Sequence, residues 1–268
     1  MIENLSQNWR KLSKKLSPSP GTDSKASKKR KERKSQPDTK AIRLKIDEDL
    51  QGIKVSPIEY LLWTYDGDIE VSEALKFTGQ KYLTTSSKPI PRKEEQGKYI
   101  SMDCEFVGVG PEGTESALAR VSIVNFFGKV IYDKYVRPSE KVTDWRTWVS
   151  GVTPLNMKEA VSFREAQMEA SKILEDRILV GHAIHHDLES LFLSHPYSKI
   201  RDTSKLPLFK KITGGRPPSL KKLILHYLKI EIQGGYHSSV EDARATMLLF
   251  RLFRKEFDKE TRQKLRKI

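Results

Sequence analysis

Five ionisable side chains on otherwise apolar segments constrain the fold of this chain most strongly, because the fold must either solvate them or bring them together. Two of them stand in residues 98–110, KYISMDCEFVGVG. β-Branched and aromatic residues lead into this run, which predicts a β-strand. Side chains alternate across a strand, so Asp103 and Glu105 share one face and Cys104 lies on the other.

The Asp103–Glu105 pair favours a divalent cation. Two carboxylates on one face raise each other's pKa unless a cation lies between them. Oxygen ligands at this density suit Mg²⁺ or Mn²⁺, whereas zinc prefers nitrogen and sulfur. The alternative is a pair of solvated residues on an edge strand. Cys104, the only cysteine, is expected to be a small buried core residue.

A third carboxylate stands in residues 177–196, RILVGHAIHHDLESLFLSHP, which predicts a buried strand, a Gly-His turn and a helix. Asp187 falls on the same helical face as an apolar stripe, and an ionised carboxylate there is costly unless it is paired or metal-bound. The alternatives are a buried Lys or Arg partner, or a favourable interaction with the helix dipole. The stripe consists of Ile184, Leu188, Leu191 and Phe192.

The remaining two residues stand in GGYHSSVEDARATMLLFRLF, which predicts a terminal helix. Ser239 and Asp242 have the spacing of a capping box, so Asp242 could simply cap the helix. Asp242 also shares a face with the apolar residues Ala245, Leu249 and Phe253. His237 precedes the helix on an exposed Gly-Gly-Tyr approach, and a histidine there can accept a proton near neutral pH. All three segments therefore direct polar groups towards one interior site.

Six segments of this sequence closely resemble the RNA exonuclease 4 family: DCEFVGVG, ALARVSIVN, YDKYVRP, WVSGVTP, LVGHAIHHDL and HSSVEDARATM. The family belongs to the DEDD superfamily, in the subgroup whose last motif is His-x4-Asp. The resemblance covers about residues 99–257. It implies an RNase H-like α/β fold, with a mixed central sheet flanked by helices, and 3′→5′ exonuclease activity. The family's usual role is ribosomal RNA processing in the nucleus, so pre-rRNA is the expected substrate and the nucleolus the expected location.

Two divalent ions, Mg²⁺ or Mn²⁺, would stabilise the attacking and leaving oxygens of a phosphodiester. We expect Asp103 to bridge them, Glu105 and Asp242 to complete the site of the attacking water, and Asp187 to anchor the second ion. His237 would be the general base. The expected product is a nucleoside 5′-monophosphate.

Two further residues are candidates for substrate contact. Phe106 stands where the family commonly has methionine, and its ring could stack on a base, which leaves the choice between RNA and DNA open. Arg146 lies between two tryptophans in TDWRTWVSGVTP, a composition suited to an unpaired strand. The alternative is that Trp145 and Trp148 close the core and Arg146 is solvated.

Composition agrees with a polyanionic partner. The 268 residues carry a formal net charge of +14, much of it in residues 1–40. That segment lacks large apolar runs, so we predict a disordered basic tail, in which residues 28–34, KKRKERK, resemble a nuclear-localisation patch. No run approaches a membrane span.

We expect four segments: the tail at 1–40, an extension packing on the catalytic domain plus a linker at 41–97, the catalytic domain at 98–258, and a basic C-terminal tail at 259–268. Residues 108–113 match G-x-G-x-x-G, but the following residues alternate like strands, so a hairpin loop is expected and a nucleotide cofactor is not. Two alternatives remain open: an RNA-binding ribosome-assembly factor with dispensable catalysis, and a DNA 3′ exonuclease.

Overall fold

The computed structural model describes residues 53–77, 83–85, 91–235 and 237–266. The tail predicted at 1–40 and its basic patch at 28–34 lie outside the described residues. Within the described ranges, no helix is both long and apolar enough to cross a membrane.

A mixed seven-stranded sheet forms the centre of the molecule, and a separate antiparallel pair, β1 with β2, precedes it. The strand order of the sheet is β7-β5-β4-β3-β8-β9, with β6 pairing the end of β3. β3 pairs antiparallel with β4 and parallel with β8. The strands are β1 (Ile53–Val55), β2 (Leu83–Thr85), β3 (Tyr99–Val109), β4 (Glu115–Asn125), β5 (Val130–Arg137), β6 (Val142–Asp144), β7 (Val161–Ser162), β8 (Ile178–Gly181) and β9 (Ile200–Asp202).

Helices cover both faces of this sheet. The α-helices of the described residues are α1 (Pro57–Thr64), α2 (Val71–Ala74), α3 (Pro91–Glu94), α4 (Thr147–Ser150), α5 (Phe163–Leu174), α6 (His185–Ser190), α7 (Pro207–Lys210), α8 (Leu220–Leu228), α9 (Ser239–Leu252) and α10 (Arg254–Leu265). Short 3₁₀ turns connect several of them.

β3 separates two apolar clusters because its side chains alternate between the faces of the sheet. Ile100, Met102 and Cys104 are buried on one face, in a cluster with residues of α5 and α6. The other face of β3 lies against α9. The second cluster packs α9 against α8 and α1. Since α9 is covered by the sheet on one side and by helices on the other, it is apolar around most of its circumference.

The extension that precedes the catalytic domain docks through α1. Ile58, Leu61 and Leu62 are almost fully buried against α9, and each contributes about 2 kcal/mol as an upper estimate. Gly128, in the β4–β5 turn, has φ +76°, and a Cβ there would lie 2.8 Å from Leu62 Cδ1. Only glycine therefore lets α1 approach this turn so closely.

Arg251 of α9 fixes the same extension by hydrogen bonds. Its side chain is fully buried, and burial lowers its pKa to about 9. The guanidinium donates to the carbonyl oxygens of Leu62, Tyr65 and Gly67 at 2.6–3.1 Å and lies 4.3 Å from the centre of the Phe126 ring. A buried cation of this kind is tolerated because its donors are satisfied.

The α/β fold class is confirmed, as are the strands around Phe127-Gly128 and the hairpin between β3 and β4, whose loop is residues 110–114 because Gly108 and Val109 still belong to β3. One detail was wrong: Phe192 is 79% exposed and is not part of the inward stripe, because the helix ends at Ser190 and Phe192 adopts φ +49°. The short strands β6 and β7 were not predicted. Residues 259–265, placed in a C-terminal tail, continue α10, which Phe257 anchors in the core.

We predict that Arg251→Met lowers the free energy of unfolding by about 3 kcal/mol, because several buried carbonyl groups lose their donor. Urea denaturation of the full chain measures the change. Arg262→Met replaces an exposed arginine of α10 and serves as the matched control. Equal stability of the two variants would contradict the structural role given to Arg251.

Candidate active site

The site begins with two carboxylates on the face of β3 that lies towards α9. Asp103 is paired across the sheet with Ser122 of β4, and Glu105 with Arg120. The register shifts between Glu105 and Phe106, so a bulge follows directly after the pair. Bulges bend a strand and redirect its side chains. The two carboxylates therefore stand where the central strand changes course.

Asp187 reaches the site from the first turn of α6 and is 6% exposed. The turn between β8 and α6 is tight, because a Cβ added to Gly181 would lie only 2.5 Å from the Cβ of Ile184. Ala183 adopts φ +57°, and its N–H donates to Asp202 Oδ1 at 2.9 Å. The geometry of strand, turn and helix thus fixes the position of the Asp187 carboxylate in the site.

Asp242 lies in the first turn of α9 and is 4% exposed. The predicted capping alternative is not what the structure shows: α9 has Ser238 as its N-cap, without a side-chain capping bond. Ser239 Oγ instead hydrogen-bonds Ser122 Oγ at 2.6 Å. That bond ties the start of α9 to the strand position opposite Asp103, which brings Asp242 over the carboxylates of β3.

His237 stands at the rim of this site. Its Nδ1 is 3.7 Å from Asp242 Oδ2, an electrostatic contact that is too long for a hydrogen bond. Its backbone N–H donates to the carbonyl of Val149 at 2.6 Å, and its side chain is 36% exposed. Burial and the charge of Lys221 lower the pKa of His237, so the imidazole is neutral near pH 7.

The pKa values of the four carboxyls rise together. Burial raises the pKa of Asp103 well above its usual value, and the charges of Asp187, Asp242 and Glu105 raise it further. Burial, aided by the charge of Asp242, raises the pKa of Glu105 to about 8, although Arg120 opposes the shift. The charges of the other three carboxylates act on Asp103, so all four belong to one site.

Burial also raises the pKa of Asp187 to about 7 and that of Asp242 to about 6. Hydrogen bonds from the side chain and backbone of Cys104 oppose the shift at Asp187. Gln233 opposes it at Asp242. Cys104 is buried as predicted, yet its thiol contacts Asp187, and burial raises the pKa of that thiol.

The donor set fits a hard divalent cation. Oε1 of Glu105 and Oδ1 of Asp242 are buried and have no hydrogen-bond partner among the described residues. Buried carboxylate oxygens normally have partners, and Mg²⁺ or Mn²⁺ would satisfy these two. No three His, Cys, Asp or Glu side chains in the described part of the chain already stand in the arrangement of a finished metal site.

Gln233 adjoins this site and was not found from the sequence, and Lys221 lies next to Gln233. Gln233 Nε2 donates to Asp242 Oδ2 at 2.8 Å, which leaves Oδ1 as the unpaired oxygen. Lys221 Nζ donates to the Gln233 carbonyl at 3.2 Å. Gln233 has φ +57°, unusual for a residue other than glycine. Its position before Gly234 was the one available signal, and that signal does not reveal the contact with Asp242.

The two predicted substrate contacts lie in different settings. Phe106 is half-buried and packs against the cluster of α5 and α6. Arg146 donates to Ser116 Oγ at 2.8 Å and to the Gly113 carbonyl at 2.7 Å, so its guanidinium clamps the β3–β4 loop. Substrate contact stays a prediction for both residues.

Comparisons with known proteins agree with this geometry. A family model described as Exonuclease, of the RNase T type, matches residues 100–250. The chain is 58% identical to RNA exonuclease 4 of Debaryomyces hansenii, in a match that covers 100% of this chain and 98% of the relative. It is 48% identical to RNA exonuclease 4 of Candida glabrata, over 97% of this chain and 98% of the relative.

Solved structures with a similar fold include a Pan2 pseudoubiquitin hydrolase–RNA exonuclease module of Saccharomyces cerevisiae in complex with AAUUAA RNA. The TM-score is 0.54 at 26% identity, covering 65% of this chain and 32% of that chain. The Pan2 catalytic unit of Neurospora crassa, a protease and nuclease domain, gives a TM-score of 0.55 at 25% identity, over 67% and 30%. The likeness thus extends over about a third of each Pan2 chain.

We predict that Gln233→Ala weakens Mn²⁺ binding about 10-fold, because Asp242 loses the hydrogen bond that orients it. Titration of free Mn²⁺ by electron paramagnetic resonance measures the affinity. Gln96→Ala, at an exposed position, is the matched control. An affinity unchanged from that control would show that Gln233 does not orient a metal ligand.

We also predict that Mn²⁺ raises the melting temperature more as pH rises from about 6 to about 8. The raised carboxyl pKa values mean that the folded, metal-free protein binds more protons than the unfolded chain. The contribution of these carboxyl groups to the stability of the metal-free protein is therefore greatest below about pH 4 and declines towards pH 8. Metal binding requires the deprotonated forms, so its effect grows over the same range.

Thermal melts with Mn²⁺ or EDTA across this pH range test the prediction. Asp103→Asn should abolish most of the Mn²⁺-dependent increase. An increase that is independent of pH, or one that persists in the variant, would place the ion elsewhere.

Proposed function

This chain belongs to the RNA exonuclease 4 family within the larger exonuclease family, and on that premise we propose that it is a divalent-metal-dependent enzyme that removes nucleotides from the 3′ end of single-stranded RNA. The observation that carries the proposal is the convergence of Asp103, Glu105, Asp187 and Asp242 beside His237. Four neighbouring carboxylates would repel an RNA chain by themselves. In a cation-dependent reaction on a phosphate, the same carboxylates would bind the cations.

The four carboxylates would hold two ions of Mg²⁺ or Mn²⁺. When bound, such ions supply positive charge at the attacking and leaving oxygens of the phosphodiester. The unpaired oxygens of Glu105 and Asp242 are the first candidates for ligands, since they are already buried. The charges of Glu105, Asp187 and Asp242 all raise the pKa of Asp103, so Asp103 would be the carboxylate that both ions share.

His237 is proposed as the general base. With Nδ1 turned towards Asp242, the neutral ring can accept the proton of the attacking water at Nε2. Its lowered pKa keeps the ring unprotonated near neutral pH, and its exposure gives the proton a route to solvent. Attack on the terminal phosphodiester breaks the bond to the 3′-oxygen of the preceding nucleotide. The products are a nucleoside 5′-monophosphate and an RNA shortened by one nucleotide.

We propose pre-rRNA as the natural substrate and the nucleus, with its nucleolus, as the location. The support is the usual role of the family together with the basic composition of residues 1–40. A polybasic segment attached to a nuclease also increases the local concentration of an RNA substrate.

The test follows a 5′-labelled single-stranded RNA with the full chain in Mg²⁺ or EDTA. We expect a ladder that shortens from the 3′ end in Mg²⁺ only. Asp103→Asn should reduce the rate by about 100-fold or more, because it removes a carboxylate that would hold the metal ions at the reacting phosphate. Asp176→Asn, at a highly exposed aspartate, is the matched control and should retain full activity.

Two outcomes would overturn the proposal. RNA that is bound but not degraded in Mg²⁺ and Mn²⁺ would identify an RNA-binding assembly factor. DNA of the same sequence degraded faster than the RNA would identify a DNA 3′ exonuclease.

A further inference from the structure

An exposed tryptophan stands beside the carboxylate site, and neither metal binding nor proton transfer involves it. Trp148, in α4, is 78% exposed. Trp145, three residues earlier, packs instead against the small cluster of Val107, Ala119 and Val152. The two tryptophans therefore differ: one closes the core under the loop, and the other presents its ring to solvent. Single exposed apolar residues are common, so position must decide whether this one has a use.

The segment that carries Trp148 is held firmly on both sides. Arg146, at φ +47°, begins the helix and is fixed by its hydrogen bonds to Ser116 and Gly113. Ser150 Oγ donates to the Trp145 carbonyl at 3.1 Å, and Thr147 Oγ1 donates to the Val152 carbonyl at 2.6 Å. A ring presented by a fixed segment loses little conformational entropy on binding.

The same segment touches the loop that carries His237. Val149, the residue after Trp148, accepts the backbone N–H of His237 at 2.6 Å, and His237 lies 3.7 Å from Asp242. Residues 145–158, WRTWVSGVTPLNMK, contain two basic residues and no acidic one. Asp144 and Glu159 flank the segment and balance these two charges, so an RNA strand that enters the carboxylate site past His237 meets no net charge repulsion from it.

We propose that Trp148 is a stacking platform for a base of the single-stranded RNA near its 3′ end. This inference rests on the proposed function and adds a substrate-binding residue to it. A flat indole stacks on any base, so the platform would grip the strand without selecting its sequence. It would also favour unpaired RNA, because a paired base has both faces occupied by its neighbours.

Binding is measured first, separately from cleavage. In an Asp103→Asn background, fluorescence anisotropy of a 5′-labelled RNA should show about 10-fold weaker binding for Trp148→Ala and near-parental binding for Trp148→Tyr. Phe192→Ala is the matched control, because Phe192 is an equally exposed aromatic residue, at 79%, and its ring packs on Phe163 of α5. It should bind RNA like the parent. Thermal melts verify that all variants are folded.

An abasic scan locates the stacked base. Replacing successive nucleotides at the 3′ end by abasic ones should weaken binding to the parent at one or two positions. At those positions the Trp148→Ala variant should show no additional loss. In the active chain, Trp148→Ala should raise KM for RNA by the same factor while kcat changes less.

The outcomes separate the inference from the proposed function. If the parent degrades RNA but Trp148→Ala binds it as tightly as the Phe192→Ala control does, the platform is overturned and the exonuclease stands. If Trp148→Ala weakens binding equally to every abasic RNA, the ring does not stack on a base. If the folded parent neither binds nor degrades RNA, the proposed function fails first.

Discussion

The packing of α9 onto β3 is the interaction on which the rest of the structure depends. Almost the whole surface of this helix is buried, so it can lie only between the sheet and the helices outside it. The Ser122–Ser239 hydrogen bond then fixes its start against the strand next to β3. As a result Asp242, at the first turn, faces the carboxylates of the central strand. The position of the site follows from core packing.

The carboxylates of the site lower the stability that this packing provides. Four carboxyls with raised pKa values cost the folded chain stability once they ionise, and two of their oxygens are buried without a hydrogen-bond partner in the described part of the chain. Such an arrangement persists only when the surrounding core is stable enough to hold it. Here β3 is central, α9 is enclosed, and the β8–α6 turn is held by Asp202. A divalent cation bound among these carboxylates would replace their mutual repulsion by attraction to the ion.

The extension before the catalytic domain contributes to that core. α1 covers the outer side of α9 with apolar residues, while Arg251 crosses from α9 to carbonyl groups in the last turn of α1 and just after it. Lys93 adds a second buried cation, 3.1 Å from Asp66. Buried cations of this kind require particular partners and therefore specify a single docking position. The extension acts as a second layer over the helix that carries Asp242.

The sequence by itself determined which residue types meet at the site and on which elements they stand. Strand alternation placed Asp103 and Glu105 on one face, helical periodicity placed Asp187 and Asp242 on inward faces, and the ordered motifs indicated the family. These signals are local, since each depends on residues a few positions apart. Only the tertiary structure decided the contacts between distant segments, such as the Gln233 bond to Asp242 and the clamp made by Arg146. It also decided that Trp145 packs on the core while Trp148 is exposed. It also showed that Phe192 leaves the apolar stripe, because the helix stops at Ser190. Such contacts depend on how elements pack in space, and no pattern of neighbouring residues encodes that packing.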